Sequence, residues 1–264
     1  MPTNLTEVSQ FTANVPVPDD GEDADASSVV QFAQVFADRS QYLKNAIPEL
    51  ACLSRRSLYA PGDGSVRFDG LRVVLSGKLY SLAAGNLGVT GLASNTWYYV
   101  YVYVSGGALV TEYVTTAPDD SLCFKTGDAT RRYVGPFRTD GSGVPLPMRY
   151  SDGHCTYRIS ATASPAYAYY NATGPASFTD LSLAAWVPPT ARIARLFAQL
   201  TLATSTAQLQ LRTKGDTLNA WQSRTLTGPD ADEWNVEIET GSTQLIQHSA
   251  DGKTETVFVT GFRE

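Results

Sequence analysis

Lysine is scarce in this sequence, with 5 among 264 residues against 15 arginines. The 20 cations face 26 acids, which leaves a formal charge of −6, and charged residues make up only 17% of the chain. A protein that tracks phosphates carries a basic stripe, so this balance argues against a nucleic-acid partner. Cysteine is equally sparse. Cys52, Cys123 and Cys155 are odd in number, widely spaced and form no CxxC pair. That argues against a disulfide framework or a zinc knuckle and suits free buried thiols. His154 and His248 are the only histidines. The sequence has no GxSxG elbow, no HExxH, no phosphate loop and no GxGxxG ahead of a helix. No apolar run approaches ~18 residues, so no membrane span is expected. Met1 to Val15 lacks the basic and apolar segments of a secretory signal.

What the chain does have is the material of β-sheets. Threonine numbers 28 and Tyr, Phe and Trp together another 28, beside 21 glycines and 14 prolines. Threonine and aromatic side chains suit a pleated, half-buried surface, and glycine and proline punctuate turns. Hydrophobic residues at 43% supply a core, and the length fits two domains or one large β unit.

Three segments are expected. Residues 1–57 read as an extended arm and one helix. In the acidic run from Asp19 to Asp25 the glycine, Gly21, falls third rather than sixth and no glutamate closes a calcium loop, so the run reads as an arm ahead of a helix N-terminus. The helix spans about Ser28 to Ala46, with Asp25, Ser27 or Ser28 to cap it and Pro48 to stop it. Val29, Phe32, Phe36, Leu43 and Ile47 recur at three- and four-residue spacing and form one apolar face. Such a helix is marginal alone in water and must bury that face, on its own domain or on a symmetry mate. Residues 58–152 read as a first β module and 153–264 as a second, C-terminal β-sandwich, because short strands alternate with turn signals.

The strongest strand is Trp97 to Val104, ended by Gly106-Gly107 and followed by a return strand from Leu109 to Val114. Alternation puts Trp97, Tyr99, Tyr101 and Tyr103 on one face and Tyr98, Val100, Val102 and Val104 on the other. The valine face reads as core. The aromatic face reads first as a second packed layer and second as a platform for sugar rings. Arg131, Arg132 and Arg138 form the densest cationic spot, and alternation puts Arg132 and Arg138 on one face, suited to ion pairs with a neighbouring subunit. Catalysis finds little footing. His154 and Cys155 are adjacent on a strand and so point to opposite faces, out of reach of each other as base and nucleophile. Asp119-Asp120, after Pro118, reads as a turn rather than a hydrolytic carboxylate pair. No catalytic, metal or cofactor-binding residue is assigned, and no cofactor is expected.

Several stretches are similar to those of a known group. Phe36-Ala37-Asp38-Arg39-Ser40-Gln41-Tyr42-Leu43-Lys44 resembles a helix near the N-terminus of many tailed-bacteriophage tail proteins. Asn95 to Tyr103, Phe124 to Gly135 and Phe137 to Asp140 resemble a β module of phage tail-fibre and related virion proteins. Val187 to Ala191 and Val257 to Phe262 resemble the C-terminal sandwich of the same proteins. The resemblance implies a mainly β virion component at a tail tip, baseplate or short fibre. It also implies a jelly-roll-like C-terminal sandwich, with a first β module that is barrel- or sandwich-like. Its partners would be itself as a homotrimer, other virion proteins and host-surface glycan. It would be assembled in the bacterial cytoplasm and located in the virion. The helix residues named above would make the oligomer or docking contact. Trp97, Tyr99, Tyr101, Tyr103, Arg132 and Arg138 are the candidate interface or glycan contacts. Two alternatives are a capsid-surface fibre or decoration protein and a carbohydrate-binding module without catalysis.

Overall fold

Along Ile193–Leu202 every second residue is buried: Ala194, Leu196, Ala198, Leu200 and Leu202. That two-residue period is what a strand with one face on a core imposes, and it recurs along Leu71–Leu75, Met148–Ser151, His154–Tyr157 and Thr206–Thr213. The computed structural model describes residues 56–75, 78–158, 167–202, 206–216, 222–227, 230–241 and 243–264. The expected arm and helix, with Val29, Phe32, Phe36, Leu43 and Ile47, lie outside the described residues, as does Cys52. Among the described residues there is no helix; the regular structure is all strand.

The described residues divide into two units: residues 72–75 and 78–81 belong to one, and residues 56–71 with the described residues from 82 to 264 to the other. The described part of the first is the pairing of β3 (Leu71–Leu75) with β4 (Lys78–Leu82), where Val73 and Leu75 are buried.

The second unit contains three sheets. One is four-stranded, ordered β7 (Ala108–Val114), β6 (Trp97–Ser105), β9 (Asp128–Arg138), β8 (Phe124–Lys125). The β6–β7 hairpin closes at the Ser105–Ala108 pair, around the expected Gly106-Gly107 turn. A long sheet runs β17 (Asp230–Glu239), β14 (Ile193–Leu202), β19 (Thr254–Arg263), β11 (His154–Tyr157), β10 (Met148–Ser151), β1 (Ser57–Ala60), β2 (Arg67–Phe68), β5 (Gly85–Asn86). The same edge of β19 that carries β11 at one end carries β12 (Tyr167–Thr173) at the other. The third sheet runs β13 (Thr179–Ser182), β18 (Leu245–Ser249), β15 (Thr206–Thr213), β16 (Gln222–Thr227). All pairings within these sheets are antiparallel and no sheet closes, so the barrel alternative for the first β module is not realised among the described residues.

The long sheet crosses the boundary expected at 152/153. One lateral row of its core face runs Phe68, Leu58, Tyr150, Cys155, Phe262, Ala194, Ile238, and each of these residues is buried. Asp152-Gly153, which looked like a junction, is the two-residue turn of the β10–β11 hairpin. Both its residues have positive φ, 49° and 84°, which is the backbone a tight hairpin requires. The β19–β11 approach depends on Gly261, where an added Cβ would stand 2.1 Å from the Cys155 carbonyl oxygen.

The third sheet buries Leu181, Leu209, Leu211, Ile246 and His248, while β14, β17 and β19 bury Leu196, Leu200, Val236, Val257 and Glu255. Burying one such aliphatic side chain contributes about 1.5–3 kcal/mol. A buried hydrogen bond from sheet to sheet joins His248 Nδ1 and Glu255 Oε1, 2.7 Å apart with both side chains almost wholly enclosed.

Candidate functional site

The aromatic stripe of β6 divides along its length. Tyr99 and Tyr101 are 2% and 0% exposed and form a core cluster with Tyr133. Tyr101 donates its hydroxyl to the Thr116 carbonyl at 2.8 Å, and burial raises both phenols far beyond their ordinary pKa. These two rings are a packed layer, closed to a glycan. Trp97 is half-buried, edge-on to Phe262 at 5.8 Å, and donates Nε1 to the Ala184 carbonyl at 3.2 Å. Tyr103, also half-buried, lies under the Arg131 guanidinium at 4.6 Å. On the opposite face Val100 and Val102 are buried, while Val104 is only half so.

The arginines depart from simple alternation. A register shift follows the Val100–Gly135 pair, so the next partner of Tyr101 is Tyr133 and Val134 is the extra residue. Arg132 then stands opposite Val102, on the valine face, whereas Arg138 stands opposite Trp97, on the aromatic face. The bulge reverses parity within one strand, so the two do not share a face. Each is 7% exposed. Arg132 covers the Phe124 ring at 3.9 Å, and Arg138 lies 5.6 Å from the Trp186 ring and donates to the Thr139 and Asn95 carbonyls. Arg131 pairs with Glu112 at 2.7 Å and with Asp128. All three are engaged within the chain.

Beside this sheet the loop Ala117–Leu122 faces Pro189–Arg192 and Glu239 across an open cleft of about 650 Å³. Its polar lining is Asp119, Asp120, Thr190, Arg192 and Glu239. Asp119 is spent on the loop itself. Its carboxylate accepts from Ser121 Oγ at 2.7 Å and from the Cys123 and Phe124 amides at 3.3 Å. Partial burial would raise its carboxyl, but these donors hold it below the ordinary value. The turn reading of Asp119-Asp120 matches that geometry. Thr190 turns its hydroxyl to Glu264, whose carboxylate also accepts from Tyr133 at 2.8 Å and from Tyr150 at 2.6 Å. Burial pushes the Glu264 carboxyl above its ordinary value, although Thr190, Tyr150, Tyr133 and Arg56 all favour the charged form. What remains open in the cleft is Asp120, Glu239 and Arg192, groups able to hydrogen-bond a polar ligand.

His154 and Cys155 face opposite ways, as adjacent strand residues must. His154 is exposed, and Cys155 is fully buried with its thiol raised well above the usual range by burial. Among the described residues no group of three or more His, Cys, Asp or Glu side chains is placed to hold a metal.

Sequence reasoning missed Glu264 and missed Arg149 and Arg158. The only local signal for the latter two is the alternation of Met148–Ser151 and Cys155–Arg158, which sets their face but not their neighbours. No protein-family model matches the chain, and no curated protein matches it.

Proposed function

We propose that this chain is a structural component of a bacteriophage virion, tail-associated as a short fibre, baseplate or tail-tip protein, and that it serves assembly and host-surface attachment. The observation that carries this is strand order. The sequences β12-β19-β14-β17 and β13-β18-β15-β16 have the connectivity of an eight-stranded jelly roll, a sandwich used by viral capsid and lectin domains. The phage-like stretches Asn95 to Tyr103 and Val257 to Phe262 agree with that assignment. In this proposal residues 1–57 dock and oligomerise the chain as a trimer, and loops at the sandwich ends meet the host.

Mass spectrometry of purified particles from the encoding phage tests the role: the chain co-purifies with tails at a fixed copy number. Its absence from particles would overturn the proposal. Light scattering of the intact protein is expected at about three times the 28.5 kDa chain mass, and a monomer mass would remove the trimer. A second reading, a carbohydrate-binding module without catalysis, draws on the basic cleft described next.

A further inference from the structure

The outer face of the long sheet carries a row the core row does not reveal. In register across β2, β1, β10, β11, β19 and β14 stand Arg67, Tyr59, Arg149, Thr156, Gly261 and Arg195. Three guanidinium groups in one row are unexpected in a chain of formal charge −6. The outer two are neutralised, Arg67 by Asp63 at 2.6 Å and Arg195 by Glu237 at 3.5 Å. The middle one is not: Arg149 is exposed and has no hydrogen-bond or ion-pair partner among the described residues. A second cation joins it from the residue that follows β11. Arg158 lies on the same face as Thr156, donates to the Tyr59 hydroxyl and sits 5.6 Å from the Tyr59 ring centroid. Arg149, Arg158, Tyr59, Ser57, Thr156 and Asp69 line an open cleft of about 670 Å³, a volume in the range of small-ligand sites.

The chemistry of these groups selects a ligand. A guanidinium presents a planar fork that matches a carboxylate with two parallel hydrogen bonds. A half-buried tyrosine offers an apolar plane with a wet rim, the surface on which a sugar ring lies. Thr156 supplies an exposed hydroxyl and Asp69 an acceptor, while Ser57, 2% exposed, only closes the wall. A compact inorganic anion would use the arginines alone and be repelled by Asp69, whereas a sugar bearing one carboxylate and several hydroxyls uses the two arginines, Tyr59, Thr156 and Asp69 together. The platform is paired strand, so little ordering accompanies binding.

We propose that this cleft binds a carboxylated sugar of an acidic glycan, with the carboxylate on Arg149 and Arg158, the ring against Tyr59 and a hydroxyl on Asp69. This goes beyond the virion role. It is read on purified protein, whereas that role is read on particles, so either can fail while the other stands.

The test is calorimetric titration of the full chain with tri-galacturonate, a hyaluronan tetrasaccharide and sialyllactose, against neutral galactose oligomers, inorganic phosphate and a poly-glutamate peptide. At least one carboxylated sugar is expected to bind, with neutral oligomers and phosphate much weaker. Arg149→Ala is expected to weaken that binding about tenfold, the loss of one charge-assisted pair. Arg149→Lys should restore only part of it, because the fork is lost. Arg149 is exposed, so both variants should melt like the parent. Failure of all three acidic sugars overturns the proposal, as does undiminished binding by a folded Arg149→Ala. Equal binding of phosphate would mean a simple anion site, and tighter binding of poly-glutamate would mean a peptide partner; either replaces the sugar.

Discussion

Replacing Tyr133 by Phe removes one oxygen from a fully packed ring. The ring keeps its contacts with Tyr99 and Tyr101 at 6.3 and 5.7 Å between centroids, so the loss is confined to the hydroxyl. That hydroxyl donates to both Glu264 oxygens, at 2.8 and 3.1 Å. A hydrogen bond to a charged group is worth about 1.5–3 kcal/mol, against about 0.5–1.5 for a neutral one. The penalty therefore depends on the charge of Glu264. Burial raises its folded pKa above the unfolded value of 4.5. A carboxyl shifted upward stabilises the fold fully below pH 4.5 and loses that contribution as pH rises through the folded pKa. Removing a donor that favours the charged form moves the folded pKa further up and enlarges the loss. Tyr133→Phe should thus cost about 1 kcal/mol near pH 4 and about 2–3 kcal/mol near pH 8. Urea unfolding across that range reads this as a shift in midpoint at unchanged slope. Glu264→Gln removes the titration, so in its background the cost of Tyr133→Phe should be flat with pH. A cost that is flat in the parent background, or below about 0.5 kcal/mol throughout, would refute the network as described.

Two other changes probe the two ends of the second unit. Val102→Asp places an unpaired carboxylate at a residue 2% exposed between β7 and β9, and thermal melting should show a loss above about 4 kcal/mol; a melt within a degree of the parent would mean that β6 faces otherwise. His248→Ala leaves the wholly buried Glu255 carboxylate without its 2.7 Å partner and should cost about 3–5 kcal/mol in denaturant unfolding. The double replacement His248→Leu, Glu255→Met should recover most of that loss. Equal instability of single and double variants would show that the pair is not the cause.

The sequence by itself determined the local features. Alternation from Trp97 to Val104, the Gly106-Gly107 turn and the return to Val114 follow from side chains on opposite faces of an extended backbone and from the turn that glycine permits. The opposed directions of His154 and Cys155 follow from the same period. The faces of Arg132 and Arg138 did not follow, because one bulged residue at Val134 reverses parity and leaves no mark in composition. Nor did the boundary at 152/153, since a hairpin turn and a linker use the same residues. Tertiary structure alone decided the lateral partners. Glu264 meets Tyr133, Tyr150 and Thr190 across 131, 114 and 74 positions, and Arg149 stands between Tyr59 and Thr156 only because β10 pairs with both β1 and β11. Covalent geometry sets the period of a strand within a few residues. Which strands lie side by side depends on burying one shared core, a property of the whole chain that no local pattern encodes.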